Sequence, residues 1–99
     1  RWVRIQPPNP PSLTSPAILL ARAVNAEQLA SVGNQTGGRV FIFLHTDNIG
    51  RDFERYSAHG IRFLSQPRQE PYGKVAVFLD LYGNKWDLIE PALRHNAPV

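Results

Sequence analysis

The stretch FLDLYGNKWDLIEP, residues 78–91, decides how this chain is read. Two hydrophobic runs flank Leu81-Tyr82-Gly83-Asn84, a turn built from residues that accept tight backbone angles. KVAVFLD (74–80) and KWDLIE (85–90) therefore read as the two arms of a β-hairpin. Asp80 precedes the turn and is expected to accept hydrogen bonds from its backbone amides. Asp87 and Glu90 lie in the second arm. Three residues apart on a strand, they face opposite ways and cannot act as an acid/base pair.

Working outward, RVFIFLHT (39–46) is the most strand-like segment in the chain. On an ideal strand Phe41, Phe43 and His45 share one face and Val40, Ile42 and Leu44 the other. Both sets are apolar enough to suggest that both faces are covered. A helix is predicted from Ile49 to His59, capped by Asp47 or Asn48. Ile49, Phe53 and Tyr56 form its buried stripe. Gly60 ends it in the left-handed conformation, and Ile61 folds back on the last turn. IRFLS (61–65) is the next strand and QPRQEPYG (66–73) a loop. The order from residue 39 is strand, helix, strand, strand, strand, an α+β βαβββ unit over residues 39–90.

The N-terminal part is less regular. RWVRIQ (1–6) alternates like a strand, and AILLARA (17–23) reads as a short apolar one. Between them PPNPPSLTSP (7–16) holds five of the nine prolines and is expected to be a rigid connector. Asn25 and Gln28 form a loose capping box for a helix over NAEQLAS (25–31). The glycine-rich VGNQTGG (32–38) lacks the Lys-Ser/Thr ending of a phosphate loop.

Composition bounds the function. The chain has 99 residues, 42% hydrophobic and 10% aromatic, enough for one small core. With no Cys there are no disulfides, iron–sulfur clusters or thiolate metal sites, which fits a cytoplasmic protein. No apolar run reaches the roughly 18 residues of a membrane span, and no leader peptide is visible, so a soluble protein is expected. The net charge is +3, but the basic residues are scattered rather than gathered in a patch, which argues against nucleic-acid binding.

Residues 38–91 resemble the second half of the vicinal oxygen chelate superfamily, the glyoxalase, bleomycin-resistance and extradiol-dioxygenase group. The matching features stand in order: a strand ending HTDNI, a helix ending YSAHGIRF, and the loop, turn and closing strand of QPRQEPYGKVAVFLDLYGNKWDLIEP. Residues 1–24 resemble the last two strands of a preceding, incomplete module. The expected division is then 1–24, a helix and linker at 25–38, the complete module at 39–91 and a tail at 92–99, in an N-terminally shortened member.

The resemblance implies a cup that can hold a divalent metal (Zn, Ni, Fe or Mn) on His and Glu side chains. Carried onto this chain, Asp87 matches the last metal position. Phe41 stands where a His is expected, and Leu19, Leu20 or Arg22 where a Glu is expected. The first His position lies before Arg1. His45 is about 13 Å along the strand from Phe41, too far to replace it. A lone carboxylate is a weak metal site, so metal-free binding of a small molecule leads. The candidate ligand-binding residues are Phe41, Phe43, His45, Phe78 and Asp87, with Trp2 and Trp86 as further aromatic walls. A metal-dependent lyase or dioxygenase with ligands missing from this chain is the alternative. An assembly protein without ligand is a third possibility. An incomplete module leaves an open sheet edge and an uncovered face, so a homodimer is expected, with strand exchange as one way to build it.

Overall fold

A computed structural model describes residues 3–6 and 16–92. The proline-rich connector at 7–15, Trp2 and most of the 92–99 tail lie outside the described residues. The chain divides into two compact units, residues 1–30 and 31–99.

In the first unit, β1 (Val3–Ile5) pairs antiparallel with β2 (Ile18–Leu20), Val3 opposite Leu20 and Ile5 opposite Ile18. β2 is shorter than the AILLARA run from which it was expected. Helix α1 (Ala26–Ser31) begins where the Asn25 Oδ1 accepts from the Gln28 amide at 2.8 Å. Gln28 Oε1 reaches back to the Val24 amide, at 2.8 Å, rather than to that of Asn25.

The second unit is the βαβββ module: β3 (Val40–His45), α2 (Ile49–Ala58), β4 (Arg62–Phe63), β5 (Arg68–Glu70), β6 (Gly73–Leu79) and β7 (Lys85–Pro91). The strand order is β3-β7-β6-β4, with β5 on the same flank of β6 as β4. First and last strands of the module thus lie side by side and parallel, Phe43 opposite Asp87 and His45 opposite Ile89. β6 and β7 are the expected hairpin, Val77 opposite Asp87 and Phe78 opposite Trp86.

β5 corrects the sequence reading. Arg68-Gln69-Glu70 was expected within a loop because its residues are polar, but the segment pairs with Val75, Lys74 and Gly73 of β6. Backbone pairing along the free flank of β6 makes the strand, not side-chain hydrophobicity. β4 and β5 together occupy that flank, so the module's second strand is interrupted rather than extended through 61–65.

Helix α2 follows its local signals closely. Asn48, with extended backbone, caps the first turn through its side chain to the Arg51 amide at 3.0 Å. The Ile49 amide, otherwise an orphan of the helix start, donates to Glu90 Oε1 of β7 at 2.9 Å. At the other end Gly60 takes φ 92°, Gly60 N–H bonds to Ser57 O and Ile61 N–H to Tyr56 O. This paired arrangement is the Schellman motif that glycine permits.

Ile49, Ala76, Phe78 and Leu88 form the core under α2, with Leu44, Phe53, Tyr56, Ile61, Phe63 and Trp86 packed against it. Phe78 stacks on Trp86 at 5.7 Å between ring centroids and meets Tyr56 and Phe63 edge-on or tilted. One face of the sheet is therefore committed to the helix.

Candidate functional site

The opposite face carries Asp87. Period two places Lys85, Asp87 and Ile89 of β7 there, with Val75, Val77 and Leu79 of β6 in register. β3 adds Phe43 and His45. Arg62 of β4 lies opposite Leu79, and the Leu64 amide bonds to Val77 O at 2.8 Å. The result is a row across the sheet, Phe43–Asp87–Val77–Leu64. Phe43 is 60% exposed and Leu64 46%. Farther along, Val75 and Ile89 are buried, so the accessible part of this face is the end that includes Asp87.

Asp87 is the unusual group in that row. Its Oδ1 is buried and receives no hydrogen bond from any described residue. Burial raises its pKa above the ordinary carboxylate value, and the field of Arg68 only partly opposes this. Arg68 is itself engaged by Glu70, Nε to Oε2 at 2.7 Å. A buried acceptor without a donor is uncommon and calls for a physical account.

The five candidate residues separate. Phe43, His45 and Asp87 share the accessible face. Phe78 does not: it is 7% exposed and belongs to the core beneath α2. Phe41 also departs from the expected alternation. The β3–β7 register slips between Val40 and Ile42, and the bulge turns the Phe41 ring edge-on to Trp86, at 6.3 Å and 80°. Phe41 is therefore a companion of the core aromatics. The expected covering of both faces of β3 fails at Phe43, because β3 is the sheet's edge and this part of its far face is not buried. Lys85, Arg62 and Leu64 were not singled out in the sequence. Lys85 was within reach of the same period-two argument that placed Asp87. Arg62 and Leu64 join the face only through the pairing of β4 with β6.

Asp80 stands in contrast. Its Oδ1 accepts from the amides of Tyr82 (3.0 Å) and Asn84 (2.9 Å). Its Oδ2 accepts from Asn84 Nδ2 (3.1 Å) and Trp86 Nε1 (3.0 Å). Burial pushes its pKa up, but the bonds from Trp86, Asn84 and Tyr82 outweigh this and hold it below the ordinary carboxylate value. Asp80 is the expected turn residue, and it also fixes the Trp86 indole. The turn is buttressed from the glycine-rich segment: Asn84 Oδ1 accepts from the Gln35 amide at 3.2 Å. Gly33, at φ 77°, approaches Tyr82 O so closely that a β-carbon would lie 2.1 Å from it.

A third acidic group, Asp52, is structural. It accepts from Arg51 Nε at 2.9 Å and from the Thr46 hydroxyl, tying the end of β3 to the first turn of α2. The Arg51 guanidinium, foremost, and Thr46 hold Asp52 below its ordinary pKa despite burial.

Among the described residues no group of three His, Cys, Asp or Glu side chains could hold a metal ion. With Phe41 turned onto Trp86 and Asp87 bordered by Phe43 and Val77, the described residues do not fit a divalent-metal centre. No described helix is long and apolar enough to cross a membrane.

Residues 5–88 match the model of the Glyoxalase/Bleomycin resistance protein/Dioxygenase superfamily. The chain belongs to that superfamily. An uncharacterized protein of Shewanella frigidimarina is 50% identical over all 99 residues, which cover 70% of its length. The crystal structure of TnmS3, an antibiotic binding protein from Streptomyces sp. CB03234, is similar with a TM-score of 0.67 at 22% identity. That match covers 93% of this superfamily member and 66% of TnmS3. A superfamily protein from Sphaerobacter thermophilus gives a TM-score of 0.63 at 22% identity, over 91% of this chain and 66% of the other. The chain thus spans just under two thirds of either solved structure. At these identities the likeness is one of fold.

Proposed function

We propose that this superfamily member is a metal-free binding protein for a small organic molecule. Asp87 anchors the ligand, Phe43 is its aromatic wall and His45 stands at the rim. A second copy of the chain closes the cup over the accessible face, by packing or by strand exchange. The observation that carries this reading is the orphaned Asp87 Oδ1, next in register to an exposed aromatic ring. A ligand donor on the Asp87 carboxylate would offset the cost of that burial. The description of TnmS3 as an antibiotic binding protein supports a binding role for this fold. The sequence, free of Cys, suits a reducing compartment, and the cytoplasm is our assignment.

The second reading is a metal-dependent lyase or dioxygenase whose remaining ligands lie outside this chain. It is favoured by the resemblance, which puts Asp87 at the family's last metal position.

Elemental analysis of protein purified without chelator separates the two, with an Asp87→Ala variant alongside. The binding reading expects no stoichiometric metal in either protein, and small-molecule shifts at the Phe43 and Asp87 amides in NMR screening. Stoichiometric zinc, nickel, iron or manganese that disappears in the variant would overturn it in favour of the enzyme.

A further inference from the structure

The charges around Asp87 restrict what its ligand can be. Lys85 lies two residues along β7 on the same face, about 6.6 Å away along the strand. Arg62 lies on that face across Leu79. Among the described residues no acid pairs with either cation. Arg68 is on the far side of Asp87 and is already bound by Glu70. His45 is on the β3 side, beyond Phe43. Among the described residues the accessible face therefore presents an acid with one unpaired oxygen, Lys85 two residues along its strand and Arg62 two strands over, with Phe43 on the neighbouring strand roughly 4.8 Å away.

Each simple ligand class fails one part of this arrangement. A neutral donor gives the Asp87 carboxylate a hydrogen bond but adds no positive charge to the field of Arg68, which only partly offsets its burial. A purely cationic amine supplies both donor and charge, and meets the field of Lys85 and Arg62. An anion pairs with Lys85 and Arg62 and is repelled by Asp87. A molecule with a protonated amine and an anionic group satisfies all three. An aryl body gives Phe43 a partner, and the ammonium beside that ring gains a cation–π contact.

We infer that the ligand of this site is a small aryl zwitterion, its ammonium on the Asp87 carboxylate, its anionic group toward Lys85 and Arg62, and its ring against Phe43. This rests on the binding role proposed above and goes further by naming the ligand's charge pattern.

The test is NMR titration of the full chain at neutral pH with three probes of one aryl body: phenylalanine, phenethylamine and 3-phenylpropionate. The same titrations are run on Asp87→Asn and Lys85→Ala, each checked for a native amide spectrum. Phenylalanine is expected to bind at least about tenfold more tightly than either singly charged probe, the scale of one charge-assisted contact. Asp87→Asn should remove its advantage over 3-phenylpropionate, and Lys85→Ala its advantage over phenethylamine. If Lys85→Ala leaves the preference for phenylalanine over phenethylamine unchanged, Lys85 does not take the anionic group and the inference falls. A preference for 3-phenylpropionate would overturn it as well. Silence of all three probes, with another small molecule shifting the Phe43 and Asp87 amides, would overturn the zwitterion and leave the binding role standing. A chain on which no small molecule shifts those amides would lose the binding role itself.

Discussion

Asp80 and Asp87 sit seven residues apart on one hairpin, and their surroundings oppose each other. Asp80 follows β6 and is met by four donors, two of them backbone amides of its own turn. Asp87 lies mid-strand, where β7 has spent its backbone amides on β6 and β3, and its Oδ1 meets none among the described residues. The difference shows what a turn does for a carboxylate that a strand cannot. Consecutive amides in a turn converge on one side chain, whereas strand amides point sideways into the ladder. The satisfied acid holds the fold, and the other is the one we propose for a partner.

Breaking the satisfied end should have the largest effect. Asp80→Ala removes the acceptor for both turn amides and for Trp86, leaving half-buried donors unpaired. A loss of about 3 kcal/mol in unfolding free energy is expected by urea titration. A loss below about 1 kcal/mol would mean that water replaces the carboxylate and the contrast is weaker than drawn.

The pH dependence sharpens the contrast because the two acids shift in opposite directions. Asp80, and Asp52 with it, is held below its ordinary pKa. Their stabilisation is present above the ordinary value and is lost as pH falls through the lowered ones. Asp87 is raised, so the folded state holds its proton more tightly than the unfolded state. Its contribution makes stability fall as pH rises from the ordinary value through the raised one. Asp80→Asn should flatten the acid limb of a stability–pH curve, and Asp87→Asn should remove the decline on its neutral side. The same variant flattening both limbs would refute the assignment.

At neutral pH, Asp87→Asn is expected to change stability in the opposite sense to Asp80→Ala. Replacing a buried charge by a neutral amide should give a gain of about 0.5–1 kcal/mol, small because the group is partly solvated. Thermal melts of the ligand-free protein check the sign.

Removing the apolar half of the accessible face tests the second copy. Phe43→Ser leaves the core under α2 untouched and should shift sedimentation from dimer to monomer, with stability of the monomer changed by no more than about 0.5 kcal/mol. A wild-type protein that sediments as a monomer at micromolar concentration would remove the dimer from the proposal.

Local chemistry made much of this readable in advance. The Asp80 turn, the Asn48 cap, the Gly60 ending and the hairpin all depend on residues within a few positions of each other, and the structure has each of them. The alternation also put Asp87 and Glu90 on opposite faces, and Glu90 does turn away to cap α2. Phe78 was misplaced for a definable reason. Val75, Ala76, Val77 and Phe78 are all apolar, so alternation separates two faces without saying which one lies under the helix. Phe41 was misplaced because a one-residue bulge shifts every side chain before it, and nothing in VFIFLH marks that position.

The sequence by itself determined most of the elements, the α2 caps, the Asp80 turn and the family, because those rest on short-range backbone preferences and on spacing along the chain. Only the tertiary structure decided which apolar face is covered, made a strand of Arg68–Glu70, and set Phe43 beside Asp87. Phe43 and Asp87 are 44 positions apart, and they meet through the parallel register of β3 and β7. That register is fixed by the packing of the whole sheet beneath α2, which no local stretch of sequence contains.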